Sequence, residues 1–164
     1  MRLSNFKRYL VATWLLLIPF EMGAIFLSYW TLGWSEAVTL FRGFFVTNFL
    51  GLLLYLVHFR IGLLLGIIYG LVILGYQTPL GLKWYYIHTE ANRIVEWVYA
   101  EQIRSGSYPQ DLSAYQFNNS EYKEYLSYGT SDNSVMPFGV SYHIGTPNTY
   151  HWYQPQCGWV YIDD

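Results

Sequence analysis

Apolar residues fill the first half of the chain in three long blocks, then thin out into a helical stripe and a few short alternating segments. Residues 9–30 follow a start that carries Arg2, Lys7 and Arg8. A signal peptide also begins basic, but its apolar core holds about 7–15 residues before a small-residue cleavage site. This block is longer and no Ala-x-Ala site follows it, so it predicts an uncleaved transmembrane helix with Pro19 as a kink site. A polar break at 31–37, holding Trp34 and Glu36, leads to a second block at 38–57. His58-Phe59-Arg60 separates this from a third at 61–82. One helix through the second and third blocks to Tyr76 would be roughly 58 Å long, against a hydrocarbon core of about 30 Å. Two spans joined by a tight hairpin fit better.

The third block has no obvious stop. Leu80, Trp84, Ile87, Ala91, Ile94 and Val98 continue it at alternating spacings of four and three, one stripe of an α-helix. Lys83, Glu90, Arg93, Glu96, Glu101 and Arg104 read as the opposite, polar side. Trp84-Tyr85-Tyr86 falls where an aromatic belt belongs. Pro79 and Gly81 predict a bend between Gly75 and Leu82, with helix on both sides and no long linker. Ser105-Gly106-Ser107-Tyr108-Pro109 has the chemistry of a helix C-terminus. Residues 111–128 read as loop with a short helix over 120–126, and 129–134 as polar loop. Segments 140–144, 149–153 and 159–162 alternate Tyr, Trp, Val and Ile between Gly/Pro turns. They predict a three-stranded antiparallel meander. Such a sheet needs a partner, and the apolar stripe supplies one. The expected fold class is membrane α plus α+β. A three-helix transmembrane domain covers 1–83, and an outer domain of amphipathic helix on β-meander covers 84–164.

Composition strengthens the membrane reading. Only 12% of the 164 residues are charged, where soluble domains average about 25%. The net charge of −2 gives no basic surface for nucleic acid. The single cysteine, Cys157, excludes an intramolecular disulfide and any multi-cysteine zinc site. Arg2, Lys7, Arg8 and Arg60 place the N-terminus and the second break in the cytoplasm by the positive-inside rule. Three crossings then put everything after Trp84 outside, so the expected location is a bacterial inner membrane with the C-terminal domain periplasmic. Arg42, near the outer end of the second span, must snorkel outward or pair.

A membrane helix that runs into an amphipathic helix and then a small antiparallel sheet resembles type IV pilins and the pseudopilins of type II secretion. Arg104-Ser105-Gly106-Ser107-Tyr108-Pro109-Gln110-Asp111-Leu112 is similar to the Gly-x-Tyr-Pro-x-x-Leu stretch that closes the pseudopilin spine helix. Met136-Pro137-Phe138-Gly139-Val140-Ser141-Tyr142 is similar to the Pro-Trp-Gly-x-x-Tyr stretch that enters their sheet. The resemblance covers residues 61–164 and implies a fold for the outer domain. It does not extend to a fibre subunit. Arg42-Gly43-Phe44 mimics a prepilin cut site, but Asn48 stands where Glu is required and a whole span precedes it. The paired acidic calcium ligands of major pseudopilins are not evident.

Few residues point to chemistry. Glu21 and Asn48 lie near the middle of the first and second spans and form a candidate intramembrane polar pair, with Glu21 protonated or bonded to Asn48. His88-Thr89-Glu90 lacks the Pro-Cys-x-x-Cys partner of zinc deaminases, so His88 reads as a surface helix residue. His143 and His151 could face each other across a hairpin, but sheet-surface roles are the simpler reading. No phosphate loop, catalytic serine motif or paired-carboxylate cleft is visible, so no enzymatic activity, metal or cofactor is expected. Tyr115, Tyr122, Tyr125, Tyr128, Tyr150, Trp152 and Tyr153 form a candidate protein-binding surface, because exposed Tyr is favoured at interfaces. The expected partners are membrane lipid and another envelope protein. The expected function is presentation of an extracytoplasmic pilin-like domain for binding or envelope assembly. The alternative is an immunity or inhibitor protein that neutralises a periplasmic or membrane-acting toxin.

Overall fold

The structure is a computed structural model that describes residues 3–131, 136–144 and 149–163; the side chains of 3–5, 54–59, 149, 162 and 163 are not described. Arg2, Asp164, residues 132–135 of the expected polar loop and the expected turn at 145–148 lie outside the described residues. The chain divides into two compact units, one ending at Pro79 and the other beginning at Leu80.

The first unit is helical. Helix α1 spans Leu3–Thr31 and helix α2 begins at Trp34. The break between them is shorter than the polar segment 31–37 suggested, because Leu32 and Gly33 alone make it. The Gly33 φ of 113° ends α1, its N–H and that of Leu32 both reach the Ser28 carbonyl, and its own carbonyl accepts from Ala37 in the first turn of α2. Backbone helix is assigned to α2 throughout Trp34–Ser105, but α2 is not a straight rod. Gly51 and Gly62 would stand about 16 Å apart along a straight helix. A Cβ built on Gly51 would lie 3.1 Å from the Gly62 carbonyl oxygen. The Tyr69 hydroxyl donates to the Leu40 carbonyl at 2.8 Å, a pair about 44 Å apart on a straight rod. The chain therefore reverses between Gly51 and Gly62, and α2 has two antiparallel arms, Trp34–Leu53 and Arg60–Ser105.

Helix α1 packs on both arms. The Trp14 indole rests on Gly66, and the Glu21 carboxyl on Gly70, where a Cβ would stand 2.5 Å from Oε1. Gly62, Gly66 and Gly70 recur every four residues, the spacing that lets helices approach closely. These contacts make α1 parallel to the second arm. Arg8 and Arg60, each six residues before Trp14 and Gly66, thus lie at the same end of the bundle. Polar side chains share the interior of this unit with Ala24, Ile25, Leu63 and Ile73. Glu21, Ser28, Thr31 and Gln77 are buried, while Leu16, Phe20, Phe26, Phe45, Ile68 and Val72 are each more than half exposed. Three stretches, Phe6–Thr31, Trp34–Leu53 and Arg60–Ser105, are long and apolar enough to cross a membrane.

The second unit has an apolar core. Ile87, Ala91, Ile94 and Val98 are fully buried against Leu126, Phe138, Val140 and Tyr142. No non-helical residue interrupts α2 between Tyr76 and His88, in spite of Pro79. Gly106, at φ 81°, ends α2 with its N–H on the Gln102 carbonyl. The Tyr128 hydroxyl donates to the Pro109 carbonyl at 2.6 Å, which ties the following loop to the sheet. A 3-10 helix over Ser120–Tyr125 is capped by the Asn119 side chain. The sheet has four strands in chain order, all antiparallel: β1 Leu126–Thr130, β2 Phe138–Tyr142, β3 Thr149–Gln154 and β4 Gly158–Asp163. The three-stranded expectation missed β1, which occupies residues read as helix end and polar loop. Its sequence, Leu-Ser-Tyr-Gly-Thr, offers a single strongly apolar side chain to the core. Pairing with β2, from Leu126 opposite Tyr142 to Thr130 opposite Phe138, makes it a strand.

Two outcomes test this arrangement. Ile94→Asp puts an unpaired charge between helix and sheet and should cost the second unit about 4 kcal/mol or more, read as loss of cooperative thermal unfolding in detergent. Gly66→Leu drives a side chain into the Trp14 indole and should cost about 1–3 kcal/mol by overpacking, read in the melting midpoint. An unchanged midpoint would mean that Trp14 does not sit on Gly66.

Candidate functional site

Two buried polar clusters and one sheet face hold the residues of interest. In the first unit the Asn48 amide lies between two residues of α1. Its Oδ1 accepts from Trp14 Nε1 at 2.8 Å, and its Nδ2 donates to Glu21 Oε2 at 3.1 Å and to the Phe44 carbonyl at 3.0 Å. Glu21 Oε1 has no hydrogen-bond partner among the described residues. Further along α1, Thr31 Oγ1 donates to Gln77 Oε1 at 3.3 Å. Asn48 and Gln77 bring both arms of α2 into contact with polar groups of α1, so the pair becomes part of a three-helix seam. Trp14, Gly66 and Gly70 were not singled out from the sequence. The four-residue glycine spacing was the readable signal.

The second cluster departs from expectation. His88 is half-buried, not an exposed surface residue. Its ring lies against Trp84 and Trp159, and Nδ1 shares a 2.7 Å hydrogen bond with the Tyr142 hydroxyl. Burial lowers the His88 pKa from its usual 6.5, so neutral imidazole is favoured. Burial also raises the Tyr142 pKa. His151, expected on the sheet surface, is 5% exposed and stacks on Tyr142 at 4.6 Å. Register explains both findings: Tyr142 pairs with His151, so the two share the core face, and His143, one residue on, does not face His151. Asn92 accepts from Trp159 Nε1 at 2.7 Å, and Tyr99 and Tyr153 share a 3.3 Å bond, so polar ties run along the helix–sheet seam.

Glu90 was placed on the polar side of α2, yet it is 1% exposed. Its Oε1 accepts from the Tyr115 hydroxyl at 3.1 Å and from the Asn118 N–H at 3.0 Å, and its Oε2 meets Arg93 at 3.2 Å. A carboxylate so placed holds the loop after α2. Burial, then the bond to Glu90, pushes the Tyr115 pKa up to about 12.

The expected tyrosine surface is corrected by this arrangement. Tyr115 belongs to the core, and Tyr122, Tyr125, Tyr128 and Tyr153 pack against it half-buried. Tyr150 is exposed. Trp152 is half-buried on the sheet face that points away from α2, its indole nitrogen against Gly139. Ser127, Gly129 and Ser141 line the same face, and a shallow groove of about 360 Å³ lies among them beside Trp152. Among the described residues, no group of three or more His, Cys, Asp or Glu side chains is placed to hold a metal ion.

Comparison with family models, with curated proteins and with solved structures finds no match to this chain.

His88 gives a pH dependence. Its folded pKa lies below its unfolded one, so the unfolded chain binds the proton more readily and stability falls as pH drops below about 6.5. His88→Gln should flatten the melting midpoint between pH 7 and pH 5 relative to the native chain. An equal slope in both would remove His88 from the account.

Proposed function

We propose that this chain is an integral membrane protein that presents its α+β unit for protein binding or assembly at a cell envelope, without catalysis of its own. The observation that carries the reading is the first unit's buried polar side chains beside its many exposed large apolar ones. Glu21, Ser28, Thr31 and Gln77 lie inside with Leu63 and Ile73, while Leu16, Phe20, Phe26, Phe45, Ile68 and Val72 lie outside, which suits lipid and would be costly in water. The second unit has an apolar core, as a water-facing domain requires.

Lys7 and Arg8 at the start of α1, with Arg60 at the same end of the bundle, support a cytoplasmic N-terminus. Three crossings then place the second unit on the far side, periplasmic in a bacterial inner membrane. The order of helix, closing loop and antiparallel meander supports a pilin-like reading of the outer domain. The side of the sheet that carries Tyr150 and Trp152 is the face we assign to the partner, since α2 covers the other side.

Reporter fusions after Arg60 and after Asp164 should report opposite compartments; the same compartment for both would sink the topology. A photo-crosslinking residue at position 150 should trap a protein partner in intact cells, and one at position 115 should not. Equal trapping at both positions would remove the sheet face as the docking surface.

A further inference from the structure

The first turns of α2 hold polar groups that the bundle does not use. Ser35, Glu36 and Thr39 line a notch of about 280 Å³ together with Leu32, Leu40 and Tyr76. The Ser35 hydroxyl donates to Glu36 Oε2 at 2.7 Å and the Thr39 hydroxyl to the Ser35 carbonyl at 2.8 Å. Glu36 Oε1 and the Tyr76 hydroxyl have no partner among the described residues. Below the notch on the same helix face stands Arg42, since 35, 39 and 42 follow the four-three spacing of one stripe. Arg42 is exposed and has no hydrogen bond or ion pair among the described residues. Around it the surface is apolar, with Phe41, Phe45, Val46 and Phe49 all exposed.

We infer that this notch and Arg42 bind a membrane phospholipid whose headgroup carries both a phosphate and a primary ammonium, as phosphatidylethanolamine does. The inference rests on the membrane reading above. A guanidinium on an outward apolar face needs an anion, and depth decides which one. Arg42 lies eight residues from Trp34, about 12 Å along the helix. An extended arginine reaches about 6–7 Å from its Cα. With Trp34 taken as an interfacial tryptophan at the outer edge of the layer, a guanidinium directed toward it passes the level of Thr39 and ends about 5 Å short of the Trp34 Cα, within that layer of about 5–7 Å per leaflet. Phosphates are found at that depth, so Arg42 needs no acidic transmembrane helix. One turn higher, Glu36 offers a free carboxylate oxygen beside three hydroxyls. That set accepts N–H donors from a primary ammonium. A quaternary choline has none to give, and a glycerol headgroup has no charge for Glu36.

Native mass spectrometry of the delipidated full chain tests this, with phosphatidylethanolamine, phosphatidylcholine and phosphatidylglycerol of identical acyl chains as probes. The native chain should retain the ethanolamine lipid above the other two. Arg42→Gln should lower retention of all three by about fivefold, the worth of one basic contact near a bilayer surface, and Arg42→Lys should keep most of it. Glu36→Gln should abolish the preference for ethanolamine over choline while leaving phosphate-dependent retention in place. Equal retention by the native chain and Arg42→Gln would overturn the site. So would a preference for phosphatidylglycerol, or a second protein chain crosslinked at position 45 only when Arg42 is present. Melting of each variant guards against misfolding, since a variant that melts as the native chain does but loses lipid supports the site. Resistance of the native chain to carbonate extraction separates the two claims. A resistant chain with unselective lipid binding refutes this site alone, whereas an extractable chain refutes the membrane reading and this site with it.

Discussion

A buried polar group left without a hydrogen bond costs about 2–7 kcal/mol, and in each unit one polar side chain meets that cost by bonding several partners at once. In the first, the Asn48 amide is spent on three partners at once, Trp14, Glu21 and the Phe44 carbonyl. In the second, the Glu90 carboxylate takes Tyr115, the Asn118 N–H and Arg93. Each of these residues fixes a long-range contact that apolar side chains alone would leave free to slide. Asn48 sets the level of α1 against the first arm of α2. Glu90 sets where the loop after Gly106 returns to the helix.

Helix α2 answers to two opposite burial rules along its length. Before Pro79 it hides polar atoms such as Gln77 and turns Ile68, Leu71 and Val72 outward. After Leu80 it hides Ile87, Ala91, Ile94 and Val98 and exposes Arg93 and Glu96. The same helical period carries both patterns. The solvent that favours each one differs: hydrocarbon cannot satisfy a backbone or side-chain polar group, and water penalises apolar area. Glycine makes the first pattern possible at close range. Without a Cβ at Gly66 and Gly70, the Trp14 and Glu21 side chains have room to lie on helix backbone.

Tyrosine content misleads in this chain for a physical reason. A tyrosine can bury its ring and still keep its hydroxyl bonded. Tyr142 bonds His88, Tyr128 bonds the Pro109 carbonyl, Tyr115 bonds Glu90, and Tyr99 and Tyr153 bond each other. The aromatic core around Phe138 is built from such residues, and it leaves Tyr150 and Trp152 for the outer sheet face. The outward sheet face therefore carries few aromatic residues, and the expected continuous tyrosine surface is not formed.

Much of this was legible in residue order. The stripe Ile87, Ala91, Ile94, Val98, the helix stop at Gly106 and the pairing strands after Phe138 follow from period, capping and turn chemistry, all of which are local. The reversal before Arg60 followed from length alone, since a single rod would far exceed any bilayer. Other features depended on partners distant in sequence. Leu126–Thr130 became a strand because β2 offered its backbone edge, and nothing in Leu-Ser-Tyr-Gly-Thr announces it. Glu90 read as solvated because charge on a helix face usually is, and only the loop that brings Tyr115 and Asn118 back reverses that. His151 moved from surface to core through a register that puts it beside Tyr142. Sequence by itself determined the long helices, the three later strands and the apolar face of each, because periodicity records the side that must be buried. Tertiary structure decided which polar residue meets which, because a hydrogen bond needs two groups within about 3 Å and sequence spacing does not set the distance between separate elements.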